Sequence, residues 1–131
     1  MRKTVIIICL IFGLFVMGRK SYAQKEIFLK QIEFKLDHIS EIEYENEYFM
    51  TINLNKGTVY KFKITNHLES FAGEAVLQLL DADNLIMTNV VGDKYYPVVT
   101  FKCNKTGYYD ILIRFKDNKI GNSVVDLVMV Q

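Results

Sequence analysis

Hydrophobic and polar residues alternate along most of the chain after residue 24. In residues 59–65, for example, aromatic or aliphatic side chains occupy every second position and two lysines lie between them. This period of two residues is typical of a β-strand that buries one face. We therefore expect a strand in every segment that shows it. These segments are 59–65, 75–80, 95–103, 108–115 and 123–130.

Short polar sequences rich in Asn, Asp and Gly separate these segments. They are typical of tight turns, and successive turns are mostly 10–15 residues apart. Short strands at this spacing predict an all-β chain that folds as a single antiparallel β-sandwich. The turn sequences are Asn55-Lys56-Gly57, Asp81-Ala82-Asp83-Asn84, Gly92-Asp93-Lys94, Asn104-Lys105-Thr106-Gly107 and Asp117-Asn118-Lys119.

Two segments in the N-terminal third are less regular. Residues 27–36 are rich in apolar side chains that do not share one parity, which fits a bulged strand or a short helix, and we favour the strand. Residues 41–54 alternate acidic and apolar side chains and then keep apolar residues on the same parity. They predict one long or interrupted strand pair with an acidic outer face, formed by Glu41, Glu43, Glu45 and Glu47.

Three sequence motifs are similar to those of known jelly-roll domains. Residues 54–62 match an L-x-x-G-x-x-Y-x-F pattern, residues 75–81 an L-x-L-x-D strand and residues 106–113 a T-G-x-Y-x-I strand. The chain thereby resembles the bacterial pre-peptidase C-terminal family and, more generally, the Golgi-dynamics (GOLD) domain. The resemblance implies a jelly-roll-like β-sandwich that serves as a non-catalytic accessory or binding module. In those families the domain normally accompanies a larger protein, whereas we expect this chain to stand alone.

The first 23 residues have a different character. Two basic residues and an uncharged apolar run come first, and the small residues Ser21 and Ala23 follow. These features predict a cleavable signal peptide, residues 1–23, whose apolar run is shorter than the roughly 20 residues of a membrane-spanning helix. An uncleaved anchor helix is the alternative. Acylation at Cys9 is excluded because the bulky Ile8 precedes it. The cleavage junction is similar to that of signal peptides from Bacteroidetes-type bacteria.

Removal of the signal peptide changes the charge and the cysteine content. The full chain has a net charge of +1, and cleavage removes four basic residues and no acidic one. Residues 24–131 therefore form one 108-residue domain with a net charge of −3. Such a charge argues against nucleic-acid binding. Cys103 loses its only possible disulfide partner, and its parity predicts an inward, buried thiol; a reactive thiol is the alternative. We expect an exported protein that is periplasmic, outer-membrane-associated or extracellular and has no membrane span after cleavage.

Motifs for catalysis are not evident. His38 and His67 lack a metal-ligand spacing, and there is no G-x-S-x-G sequence or Gly-rich phosphate loop. The turn with Asp81, Asp83 and Asn84 is a weak calcium candidate, because clustered oxygen ligands bind Ca²⁺ but the EF-hand glycine and distal glutamate are absent. We expect no cofactor and no enzymatic activity.

Two sets of residues are candidates for binding a partner. The four acidic residues at positions 41–47 form either a solvated face or a docking surface. Because glycoside hydrolases use paired carboxylates, a small hydrolase is a further, less favoured hypothesis. Tyr96 and Tyr108 have outward parity and could stack on a sugar or a peptide. The sequence therefore predicts a non-catalytic exported module that binds a protein or glycan in the bacterial envelope. The alternative is a structural subunit that pairs through an edge strand, either the acidic stretch or the closing strand at 123–130.

Overall fold

The computed structural model describes residues 25–68 and 71–131, so the predicted signal peptide lies outside the described residues. Within these ranges the chain forms strands and two short 3₁₀ helices, Glu43–Asn46 and Lys116–Asn118. The strands are β1 (Glu26–Leu36), β2 (Tyr48–Leu54), β3 (Val59–Asn66), β4 (Ala75–Asp81), β5 (Asn84–Thr88), β6 (Val90–Val91), β7 (Lys94–Tyr95), β8 (Val98–Lys102), β9 (Gly107–Phe115) and β10 (Gly121–Val130).

The strand pairing is that of a long antiparallel ribbon rolled into two sheets. Along the ribbon, β1 pairs with β10, β2 with β9, β3 with β8 and β4 with β5. Rolling the ribbon brings β10 beside β3 and β9 beside β4. The first sheet then has the order β1-β10-β3-β8 and the second the order β2-β9-β4-β5. This is the jelly-roll arrangement of eight strands, and it confirms the predicted antiparallel β-sandwich.

The core lies between the two sheets and follows the predicted alternation. Buried residues fall on alternate positions of β3, β4 and β9 and of β10 up to Leu127, and the residues between them face outward. In β10, Val128 is buried as well. Burying one such aliphatic or aromatic side chain contributes about 1.5–3 kcal/mol, so the sheets are held mainly by this layer. The fully buried core side chains include Phe62, Leu77, Leu79, Ile111, Ile113 and Leu127.

Residues 27–36 form the bulged strand that we favoured over a helix. The register of β1 against β10 shifts between Phe28 and Lys30, so Leu29 is the extra residue of the bulge. Beyond the bulge, Ile32, Phe34 and Leu36 face the core, which explains why the apolar residues on the two sides of position 29 do not share one parity.

The expected strand over residues 41–46 is wrong. This segment contains the 3₁₀ helix Glu43–Asn46, and the next strand begins only at Tyr48. The reason is local, because side-chain hydrogen bonds between Ser40 and Asn46 close the backbone into a loop. The acidic residues at 41–47 therefore do not form a ladder on one strand face, although the predicted inward parity of Met50, Ile52 and Leu54 in β2 is confirmed.

Two further expectations about strands need correction. The segment 95–103 is divided at Pro97, which has no backbone N–H to donate, and its carbonyl instead accepts a hydrogen bond from Ile64 N at 2.7 Å. The closing strand, β10, was expected to offer a free edge, but it lies between β1 and β3. It is central because β10 pairs with β1 along the ribbon and the rolling of the ribbon places β3 on its other side. In the two four-stranded sheets the edge strands are β1, β8, β2 and β5, and β6 and β7 pair in a separate two-stranded sheet.

Candidate functional site

The connection between the two sheets at β1 and β2 is the most distinctive surface of the molecule. Residues 37–47, which we call the acidic loop, carry five carboxylates and no lysine or arginine. The loop contains all four of the glutamates predicted as partner-binding residues. Glu41, Glu43 and Glu45 are exposed and Glu47 is half-buried. The structure thus brings these residues together on a loop and not on a strand.

A buried amide gives the acidic loop a defined shape. Asn46 is buried, its Oδ1 accepts a hydrogen bond from Ser40 N at 2.8 Å, and its Nδ2 donates to Ser40 O at 2.9 Å. The hydroxyl of Ser40 donates to Glu45 Oε1 at 2.6 Å and accepts from Ile42 N at 3.0 Å. These four bonds fix both ends of the segment 40–46 against each other.

Aromatic packing anchors the base of the acidic loop. Phe34 near the end of β1 stacks on Phe115, with ring centroids 5.0 Å apart, and lies 6.1 Å from the ring of Tyr48 at the start of β2. Gly121 makes room for this cluster, since a Cβ atom there would lie 2.4 Å from carbons of the Phe115 ring. The strands that enter and leave the loop are therefore both fixed in the core.

The acidic loop exposes apolar side chains as well as carboxylates. Tyr44 is 72% exposed, Ile42 is 47% exposed, and Ile39 is exposed too. Glu45 is engaged by Ser40, whereas Glu41 and Glu43 form no ion pair with another described residue. Sequence reasoning placed Ile42 and Tyr44 on an inward strand face and so missed them. Ser40 and Asn46, both of which favour turns, were the signal in the sequence that could have revealed a loop.

The two histidines lie on the surface. His38 Nδ1 is 2.9 Å from Asp37 Oδ1, and this hydrogen bond lowers the pKa of the Asp37 carboxyl. His67 is exposed at the end of β3, where its backbone N donates to Asn122 O. Among the described residues, no group of three or more His, Cys, Asp or Glu side chains is arranged to hold a metal ion.

Tyr96 and Tyr108 are both exposed, as their parity predicted, but they do not form one platform. Tyr108 is the second residue of β9 and pairs with Asn53, whereas Tyr96 hydrogen-bonds through its backbone to Asn89 near the far end of β9. Tyr96 borders a shallow groove with Leu68, Glu74, Tyr95 and Pro97. The buried amide of Asn89 also lines this groove; its Oδ1 accepts from Leu77 N and its Nδ2 donates to the carbonyls of Ala75 and Tyr96.

The calcium candidate is the two-residue turn between β4 and β5. Ala82 and Asp83 have φ of 49° and 71°, as a tight hairpin with two left-handed residues requires. Asp81 Oδ2 lies 3.1 Å from Lys105 Nζ, so this carboxylate already has a cationic partner. Asp83 and Asn84 are exposed.

Cys103 is buried, as its parity predicted, and contacts a buried tyrosine. Its Sγ lies 3.6 Å from Tyr109 Oη and 3.2 Å from Lys105 O, and Tyr109 Oη also donates to Lys105 O. The hydrogen bond with Cys103 and the burial of the ring raise the pKa of Tyr109 to about 12. This cluster closes the end of the sandwich opposite the acidic loop.

The raised pKa of Tyr109 makes stability sensitive to alkaline pH. Between pH 10 and pH 12 the unfolded chain loses this proton while the folded chain keeps it, so the contribution is complete below pH 10 and is lost as the pH rises to about 12. We expect Tyr109→Phe to flatten the fall in the free energy of unfolding over this range, by at most about 1.4 kcal/mol per pH unit. Urea unfolding at several pH values measures this dependence of the free energy of unfolding on pH. Tyr108→Phe, on an exposed neighbour, should keep the wild-type slope; equal slopes for wild type and Tyr109→Phe would contradict the assignment.

Comparisons with known proteins give a distant structural likeness. No protein-family model and no curated protein matches the chain. The crystal structure of Aeromonas hydrophila PliG, a periplasmic lysozyme inhibitor of g-type lysozyme, is similar to this chain with a TM-score of 0.49 and 13% sequence identity. The match covers 82% of this chain and 86% of that one. A likeness of this extent identifies neither a family nor a function.

Within residues 25–68 and 71–131, the structure contains no helix that could span a membrane.

Proposed function

We propose that the chain is an exported, non-catalytic module that binds a protein partner through the acidic loop. The observation that carries this proposal is the exposure of Ile42 and Tyr44 on a loop whose backbone is fixed by the buried Asn46. Export rests on the predicted signal peptide at residues 1–23. The partner is then a protein of the bacterial envelope or its surroundings.

The exposed apolar side chains supply the binding energy. A tyrosine buries about 150–250 Å² when it is fully covered, and tyrosines are enriched among the few residues that dominate protein interfaces. Tyr44 is the most exposed of the large apolar side chains in the acidic loop, and Ile42 lies two residues away. A partner with an apolar pocket would cover both.

The carboxylates determine the kind of protein that fits. Glu41 and Glu43 flank Ile42, and the loop has no positively charged lysine or arginine to offset them. Complementary charge mainly accelerates association and excludes wrong partners. The partner surface is therefore basic around its apolar pocket, and the association should weaken as salt concentration rises.

The fixed backbone lowers the cost of binding. Ordering one flexible residue costs about 1–2 kcal/mol, so a loop that is already ordered keeps more of its contact energy as affinity. The hydrogen bonds of Asn46 and Ser40 order the segment 40–46 before a partner arrives. A protein partner is favoured over a glycan because Tyr108 lies near the start of β9, whereas Tyr96 bonds to Asn89 beside the other end of that strand, so the two rings do not form a joint stacking surface.

The edge-strand alternative has weaker support. Strand β1 carries a bulge near its start and the charged Lys30 at an inward register position, and both features discourage pairing with another strand. The free edges of β5 and β8 are five residues long each. The acidic stretch, which was the other proposed edge, is a loop.

Retention of a partner from envelope extract tests the proposal. The exported chain is immobilised, and the retained proteins are compared for wild type and the variant Glu41→Gln/Glu43→Gln, which changes charge but leaves the hydrogen bonds of Asn46 intact. We expect retention of one protein to fall about three- to tenfold in this variant at low salt.

The matched control removes the same charge elsewhere. Glu33→Gln/Asp117→Asn changes two exposed acids outside the loop and should retain the partner as wild type does. Equal retention by all three proteins would show that the captured protein does not recognise the loop charges. Equal losses in both variants would show that only net charge matters. Either result would contradict the proposal.

A further inference from the structure

The outer face of the second sheet carries two pairs of apolar side chains, with polar residues such as Thr51 and Gln78 beside them. Phe49 is 60% exposed on β2 and Leu85 is 51% exposed on β5. Between them lie Leu112 on β9, which pairs with Phe49, and Leu80 on β4, which pairs with Leu85. We call this surface the apolar face; its members are Phe49, Leu80, Leu85 and Leu112, with Asp110 and Arg114 among them.

The outer face of the first sheet is different. There Lys61 and Lys63 form ion pairs with Glu26 across the intervening strand, and Asp126 accepts a hydrogen bond from Gln31. Charged side chains with partners are typical of a sheet face in contact with water. Phe28 and Val98 are exposed on this face too, but they lie on its two edge strands, β1 and β8, with the paired lysines on β3 between them. The apolar face of the second sheet is instead apolar at its interior strands, which suits it better to contact with a protein.

The charges of the apolar face identify its occupant. Asp110 and Arg114 are the charged side chains at outward positions in the four strands of the second sheet, and each lies two residues from Leu112 on the interior strand β9. Consider a two-fold axis that passes through Leu112, lies in the interface and is perpendicular to β9. It would place Asp110 of each copy opposite Arg114 of the other copy, which gives two such pairs. A parallel arrangement would set like charges opposite each other. The face is therefore complementary to itself in one orientation.

We infer that two copies of this chain associate through their apolar faces, with β9 strands antiparallel and Leu112 at the axis. Sheets stack face to face about 10 Å apart in this way in β-sandwiches. Such a contact is isologous and closes at two copies. This inference concerns a surface separate from the acidic loop and stands without the proposed function.

The small size of the face favours a weak dimer. Four strands about 4.8 Å apart and roughly seven residues long cover about 20 by 24 Å. This is smaller than the roughly 800 Å² that each partner buries in a standard interface. We expect a dimer that dissociates in the micromolar range.

Sedimentation equilibrium of the purified exported chain tests the inference. Wild type should change from monomer to dimer as concentration rises, and Leu112→Glu should raise the dissociation constant at least about tenfold. Val124→Glu is the matched control, because Val124 is a half-buried outward residue on the interior strand β10 of the first sheet. It should dimerise as wild type does. A monomeric wild type up to about 1 mM, or equal losses in the two variants, would overturn the inference.

Charge reversal tests the orientation and avoids any folding defect of Leu112→Glu. Asp110→Arg and Arg114→Asp should each raise the dissociation constant at least about tenfold, because like charges would then face each other. The combined swap Asp110→Arg/Arg114→Asp should return it to within about threefold of wild type. Additive losses in the double variant would overturn the antiparallel arrangement.

Discussion

Replacement of Phe62 by alanine is expected to lower the free energy of unfolding by about 3–5 kcal/mol. Phe62 is fully buried in β3, between the two sheets, and its removal would leave a cavity that the neighbouring strands fill only in part. Domains of this size are stabilised by about 5–15 kcal/mol in total. A single substitution would therefore remove a large share of the stability. Urea denaturation followed by circular dichroism measures the change.

Phe28 offers a matched control within the same sheet. It is 59% exposed on the outer side of β1, so Phe28→Ala should cost less than about 1 kcal/mol. The two variants delete the same atoms, and the difference between them reports burial alone. Similar losses for both would contradict the assignment of inward and outward faces in the first sheet.

The second large effect is expected at the acidic loop. Ile42→Ser/Tyr44→Ser should weaken binding of the captured partner by about 2–4 kcal/mol, which is roughly a 30- to 1000-fold increase in the dissociation constant. Both side chains point away from the core, so the free energy of unfolding should change little. Calorimetric titration with the purified partner measures the affinity, and thermal unfolding checks the fold.

The control for this variant removes a similar exposed apolar area elsewhere. Val98 is 47% exposed and Phe28 is 59% exposed, both on the outer face of the first sheet, compared with 47% for Ile42 and 72% for Tyr44. Val98→Ser/Phe28→Ser should bind with wild-type affinity. If the control loses as much affinity as the loop variant, the partner does not use the loop.

Most strands of the sandwich could be predicted from the sequence because each buries one face. Strand β5 was not predicted, since Leu85, Ile86 and Met87 are apolar without alternation. In β3 lysines alternate with apolar residues, and in β9 Asp110 and Arg114 mark the outward side between inward apolar residues, as in a half-buried strand. The turn at Ala82 and Asp83 was also recognisable from its residues. The pairing order of the strands is not a local property, which is why β10 was expected at an edge.

The acidic loop could not be predicted because two local patterns compete there. Glu41 to Tyr48 alternates acidic and apolar residues as a strand does, but the side chain of Asn46 hydrogen-bonds to the backbone of Ser40 and ends that pattern. This competition between side-chain bonds and strand pairing depends on how two residues six positions apart are placed in space. The alternating sequence pattern alone could therefore not show that Tyr44 is exposed.

The apolar face of the second sheet was missed because it depends on the order of the strands. The parity of Asp110 and Arg114 predicts that Ile111 and Ile113 face the core, and the structure confirms it and leaves Leu112 outside. Which outward residues of other strands lie beside Leu112 follows only from the pairing of β2, β9, β4 and β5, which is not a local property.

Site-specific photo-crosslinking in the living cell tests most directly whether the acidic loop is the binding surface. A photoreactive phenylalanine analogue is placed at position 44 in one copy of the full chain and at position 98 in another. We expect one defined crosslinked partner from position 44, absent from position 98 and lost when Glu41 and Glu43 are also replaced by glutamine. No adduct at position 44, or the same adducts from both positions, would contradict binding through the acidic loop.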